Sequence, residues 1–127
     1  MKREFISPKG VHEPIRYSHA VKVGNIIYVS GQAGINEKGR IVEGGFEEQA
    51  LQVFENLKCV LQAAGASLKD VVKINGYFTN YVRDFDKYHE IRSRFFKPPL
   101  PAATHVEIAG FAFPEMLLEI DAIAVLD

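Results

Sequence analysis

The sequence predicts an α+β domain, one mixed β-sheet with two helices packed on one of its faces. Three observations predict it. The hydrophobic period alternates between that of strands and that of helices, giving the order β, β, α, β, α, β, β. The last strand has two unlike faces: Leu118, Ile120, Ala122 and Ala124 are uniformly apolar, whereas Leu117, Glu119, Asp121, Ile123 and Val125 are mixed. The chain of 127 residues, without repeats, low-complexity tracts or linkers, suits a single domain spanning residues 1–127.

Each element has its own signal. Tyr17 to Val23 and Ile26 to Gln32 flank Gly24-Asn25, a pair suited to a hairpin turn. Gly34 to Gly45, with Asn36, Gly39 and Gly44-Gly45, reads as the one long flexible loop. From Phe46, the residues Ala50, Val53, Phe54, Leu57, Val60, Leu61 and Ala64 fall at helical spacing, and Gly65 follows where a left-handed cap is expected. Glu47, Glu48, Glu55 and Lys58 give that helix a solvent side. Leu68 to Thr79 reads as a strand. A second helix, from about Arg83 to Phe96, offers Phe85, Tyr88, Arg92 and Phe95 on one stripe, and Pro98-Pro99 stops it. Two strands close the chain, Ala102 to Ala109 and Met116 to Val125.

Two helices cover only one side of a sheet. The uniform face of the last strand is therefore assigned to the helices, and the mixed face is expected to be covered by self-association.

Composition narrows the function. Fifteen Lys and Arg against 16 Asp and Glu leave a net charge of −1, which disfavours binding to a phosphate backbone. No stretch reaches the roughly 20 apolar residues of a membrane helix, and Met-Lys-Arg-Glu-Phe is no signal peptide core, so a cytoplasmic protein is expected. The single cysteine, Cys59, lies in a helical pattern and reads as structural in a reducing compartment. The four histidines are 7, 70 and 16 residues apart, which gives no metal-ligand pair, and no metal or other cofactor is expected.

The chemistry-bearing residues concentrate near the C-terminus. In Pro101-Ala102-Ala103-Thr104-His105-Val106-Glu107-Ile108-Ala109, strand parity places Ala103, His105 and Glu107 on one face. Glu119 and Asp121 share a face of the last strand. Carboxylates on an otherwise apolar face either wet it or build a site.

A series of short words extends over nearly the whole chain: Arg16-Tyr17-Ser18-His19-Ala20-Val21, Val29-Ser30-Gly31-Gln32, Glu48-Gln49-Ala50 with Asn56-Leu57, Ala63-Ala64-Gly65, Asp70-Val71-Val72-Lys73, the segment from Asp84-Phe85 to Phe95-Phe96, and the Pro-Ala and Val-Glu-Ile-Ala segments. In order and spacing this resembles the RidA (YjgF, L-PSP) family of reactive intermediate deaminases. The resemblance implies a chorismate-mutase-like fold. It also implies a homotrimer whose sheets enclose a central barrel, with a small-molecule cleft between neighbouring subunits.

By the same resemblance, the activity would be hydrolysis of enamines and imines such as 2-aminoacrylate to 2-oxo acids and ammonia. The family arginine of Pro-Ala-Arg-Ser, which binds the substrate carboxylate through its planar guanidinium, is Ala103 here. Alanine offers no donor, so turnover of 2-aminoacrylate is expected to be weak. Arg92 or Arg94 on the second helix could stand in for the missing clamp, but no spacing in the sequence places either beside Ala103, and both read as solvated surface. Glu119 matches the glutamate that handles the hydrolytic water, and His105 stands in the place of a common cysteine. Tyr17, Ser30 and Gly31 match cleft residues, with Thr104 beside Ala103, and His89 replaces a common asparagine. His105 and Glu119 are expected to share one cleft, where the carboxylate would raise the imidazole pKa and make binding or turnover change between about pH 6 and 8. Two other functions stay open at this point: a non-catalytic small-molecule-binding or regulatory role for the same cleft, and endoribonuclease activity.

Overall fold

Gly24, with φ of 60°, turns the chain between two short apolar strands and so sets the first hairpin. In the computed structural model, which describes residues 1–127, these strands are β2 (Ala20–Val23) and β3 (Ile26–Ala33). The remaining elements are β1 (Arg3–Ile6), α1 (Phe46–Ala63), β4 (Val71–Phe78), α2 (Tyr81–Phe95), β5 (Ala102–Glu107) and β6 (Leu118–Val125). They form a six-stranded sheet in the order β1-β2-β3-β6-β4-β5. All neighbouring strands are antiparallel except β4 and β5, which are parallel and joined by α2.

The sheet has one strand more than the sequence pattern indicates. β1 carries Arg3 and Glu4 and is exposed along most of its length, so its place comes from pairing with β2 and not from a local apolar pattern. The strand expected from Leu68 begins with a 3-10 turn at Leu68–Asp70, capped by reciprocal bonds between Ser67 and Asp70.

The expected stripe of α1 is buried throughout: Ala50, Val53, Phe54, Leu57, Val60 and Leu61 have no exposed surface, and Ala64 almost none. Gly65, with φ of 83°, follows in the left-handed conformation. For α2 the stripe differs. Tyr88 is fully buried as expected, but its companions are Ile91 and Asp84, and Phe85 is nearly half exposed. The helix begins two residues earlier than its apolar pattern suggests because the Asn80 side chain accepts a hydrogen bond from the Arg83 N–H. Phe54 stacks on Phe95 and Tyr88 to join the two helices. The loop from Gly34 to Gly45 has internal order. Ile35 bridges Ile41, and the Asn36 Oδ1 accepts from the Lys38 and Arg40 N–H groups.

Both helices lie on the sheet face that presents Leu118, Ile120, Ala122 and Ala124, all buried. The opposite face is uncovered within the chain. Cross-strand rows there read Phe5, Val21, Tyr28, Ile123 and Arg3, Val23, Ile26, Val125. Phe5 is 68% exposed and Tyr28 48%. No helix is long and apolar enough to cross a membrane.

Candidate functional site

Residue parity and register sort the candidate residues into two groups on opposite sides of the sheet. Gly31 lies within the irregularity in the β3–β6 pairing between Val29 and Gln32. A Cβ at Gly31 would collide with the Glu119 carboxylate, so glycine is what admits that side chain. Tyr17, Ser30, Gly31 and Glu119 together line a cavity of about 270 Å³. A contiguous cavity of about 220 Å³ shares Tyr17, Gly31 and Glu119 and adds His12, Phe113 and Met116.

Two neighbouring carboxylates on β6 are treated very differently. Asp121 accepts hydrogen bonds from the Asn75 amide at 2.8 Å and the Tyr77 hydroxyl at 3.0 Å. Glu119 has no hydrogen-bond partner in the chain and is half-buried. Burial first, and then the charge of Asp121, hold its carboxyl above the usual carboxylate range. The Tyr17 hydroxyl is likewise pushed up, by burial and by Glu119. Ser30 is held by the bond its Oγ donates to the Ser18 carbonyl. His12, in the irregular segment before β2, lies 2.7 Å from the Tyr17 hydroxyl through its Nε2. A histidine five residues from Tyr17 in an irregular segment gave no sequence signal for this contact. Gly31→Ala is expected to lower any Glu119-dependent turnover on the order of a hundredfold by displacing the carboxylate. A thermal melt should change little because the displaced group is the free end of a flexible side chain. Steady-state kinetics beside the melt checks both statements.

The second group faces the helices. Register pairs Gly76 with both His105 and Ile120, and a Cβ at Gly76 would meet the His105 ring and Ile120 alike. His105 therefore shares the face of the buried Ile120, and Glu119 points to the other side. Within one chain the sheet separates His105 from Glu119, which corrects the expectation that the two side chains meet on adjoining strands, and a cleft holding both takes a second copy. Ala103, His105 and Glu107 share a face as strand parity predicts, and only the register through β4 relates that face to a face of β6. Thr104 belongs to the uncovered face, where its Oγ1 accepts from the Lys73 ammonium at 2.8 Å. Ala103 is exposed on the helix side of edge strand β5.

Around His105 is an aromatic and histidine cluster. Its Nε2 lies 2.9 Å from the Tyr88 hydroxyl, its ring stacks on Tyr81, and the His89 ring centroid is 5.4 Å away. His89 in turn bonds the Tyr81 hydroxyl at 2.9 Å. The carboxylate on the same face of β5, Glu107, accepts from the Tyr81 N–H and not from His105. Burial, followed by Arg92, His89 and Lys73, pushes its pKa down to about 4, the reverse of the expected rise. His89 is lowered for the same first reason.

These depressed values predict a pH-dependent stability. Between the ordinary histidine value of 6.5 and about 4 the unfolded chain binds a proton at His105 that the folded chain does not. Stability contributed by neutral His105 is therefore present above that window and lost as pH falls through it. Melting temperatures from pH 7 to 4.5 should decline, and His105→Gln should flatten the decline.

The model of the family described as endoribonuclease L-PSP matches residues 11–126. The chain belongs to the RidA (L-PSP) family. A RutC family protein of Pyrococcus abyssi is 43% identical over 98% of each chain. A protein of Dermatophagoides farinae named 2-iminobutanoate/2-iminopropanoate deaminase is 37% identical, again over 98% of each chain. The crystal structure of RidA from the Antarctic bacterium Psychrobacter sp. PAMC 21119 superimposes with a TM-score of 0.91 at 38% identity, covering 97% of this chain and 99% of that one. The RidA fold expected from the sequence, one mixed sheet with two helices on one face, is the fold observed.

Proposed function

We propose that this RidA-family protein is a hydrolytic deaminase of small imines, working in a cleft formed where two copies of the chain meet. The observation that carries the reading is the Glu119 carboxylate, half-buried and without a partner at the Tyr17, Ser30 and Gly31 cavity. A raised carboxylate in a partly dry site is suited to take a proton from water. Water adds to the imine carbon and gives its proton to Glu119, while the imine nitrogen gains one. The resulting carbinolamine expels ammonia and leaves a carbonyl, so one imine and one water become one carbonyl compound and one ammonia. The name carried by the Dermatophagoides farinae relative supports this chemistry.

A homotrimer explains why the site residues fall on opposite sides of one sheet. The uncovered apolar rows give a face for association, and assembly would bring the Glu119 half of one copy to the His89, Ala103 and His105 half of its neighbour. The test is ammonia release from freshly generated 2-aminoacrylate and from a panel of imines with and without a carboxylate. Release above the uncatalysed rate for at least one of them is expected. Background rates throughout, with retained binding of a small metabolite, would instead favour a binding role. The net charge of −1 gives no support to the ribonuclease reading.

A further inference from the structure

The cations of α2 are unequal. Arg83 pairs with Asp84 at 2.9 Å, Lys87 with Glu47 at 3.2 Å and with Glu90, and Arg94 with Glu90 at 2.7 Å. Arg92 has no acidic partner. It is half-buried, and its Nε is fully buried with no hydrogen-bond acceptor. An unpaired guanidinium in that position is costly unless an anion completes it. The expectation that Arg92 is solvated surface is therefore corrected.

Arg92 opens onto a cavity of about 470 Å³ shared with His89, Ser93, Lys97 and the apolar groups of Phe96 and Leu100. No Asp or Glu lines it. The Lys97 ammonium is held at its edge by the Ser93 carbonyl at 2.6 Å. His89 connects the cavity to the His105 cluster, and so to the face where Ala103 leaves the edge of β5 without a donor.

We infer that Arg92, assisted by Lys97, is the anion anchor of this protein and binds the carboxylate of a small 2-oxo or 2-imino acid whose apolar side chain lies against Phe96 and Leu100. The guanidinium fork suits a carboxylate, and a half-apolar wall suits a monocarboxylate better than a highly charged phosphate ester. The inference rests on the hydrolase reading for its ligand class. It places the carboxylate anchor on the helix and not on β5, which reverses the expectation that carboxylate substrates are handled weakly.

Calorimetric titration with pyruvate and with its uncharged amide, pyruvamide, tests it. The wild type should bind pyruvate about ten- to a hundredfold more tightly than the amide. Arg92→Gln should erase that preference, Arg92→Lys should keep part of it, and Lys58→Gln, on the exposed side of α1, should keep all of it. Equal binding of acid and amide by the wild type, which needs no variant, would overturn the inference. So would Arg92→Gln that is folded by circular dichroism and binds pyruvate unchanged, or inorganic phosphate binding at Arg92 more tightly than pyruvate. If the preference depends on Arg92 but no imine is hydrolysed, the hydrolase reading fails and the anchor stands. If imines are hydrolysed with no role for Arg92, the reverse holds.

Discussion

Replacing Glu119 by glutamine is expected to lower ammonia release by about 10²–10⁴-fold, the usual range for losing a positioned general base. Glutamine keeps the shape of the side chain and removes only its ability to take a proton. Stability supplies the control. Because the folded chain holds the Glu119 carboxyl above its ordinary value, ionised Glu119 is disfavoured by folding, and this unfavourable contribution persists at pH 7. Glu119→Gln should therefore leave the melting temperature at pH 7 unchanged or raised, whereas loss of a structural ion pair would lower it. The base must be ionised to work, so wild-type turnover should fall as pH is lowered through the raised Glu119 value. His105 stays neutral down to about 4 and should add no limb between pH 6 and 8. A pH–rate profile with and without the substitution checks these outcomes together.

The second large effect is expected from Val125→Asp. Val125 lies on the uncovered face in a row with Ile26, Val23 and Arg3. A carboxylate buried there without a partner costs about 3–5 kcal/mol at each interface it enters. The monomer tolerates it because that face is open to water. Light scattering should therefore report three times the 14.2 kDa chain mass for the wild type and a single chain mass for the variant. Circular dichroism should be retained, and ammonia release should disappear with the assembly. A wild type that is monomeric at micromolar concentration would rule out the trimer.

How much of this was legible in the sequence depended on whether the deciding interaction was local. The α1 stripe from Ala50 to Ala64 and the two faces of β6 were legible because a helix or strand with one buried face writes its period into consecutive residues. β1 was not, since Arg3, Glu4 and Phe5 acquire strand geometry only from β2. On α2 the period alone does not separate the fully buried Ile91 from Phe85, whose ring rests against Tyr81 and His89 and stays nearly half exposed.

The site divides in the same way. Glu119 stood out because a carboxylate interrupts an apolar alternation, and its cavity with Tyr17, Ser30 and Gly31 is present in the fold. The relation of His105 to Glu119 depends on the β5–β4–β6 register, which no single strand encodes. Arg92 was hidden for another reason. Its neighbours Arg83, Lys87 and Arg94 have the same charge and similar spacing, and only the positions of Asp84, Glu47 and Glu90 reveal which cation is left unpaired.

The most direct measurement is ammonia release from mixed oligomers of Glu119→Gln and Arg92→Gln subunits, made by dissociating and reassociating equal amounts of the two. Each variant alone lacks one half of every cleft and should be nearly inactive. In the mixture, random assortment gives about a quarter of the clefts an intact Arg92 half from one subunit and an intact Glu119 half from its neighbour, and activity should recover to about that fraction of wild type. Activity of the mixture no greater than the average of the two separate variants, each nearly inactive alone, would contradict a cleft built from two copies of this chain.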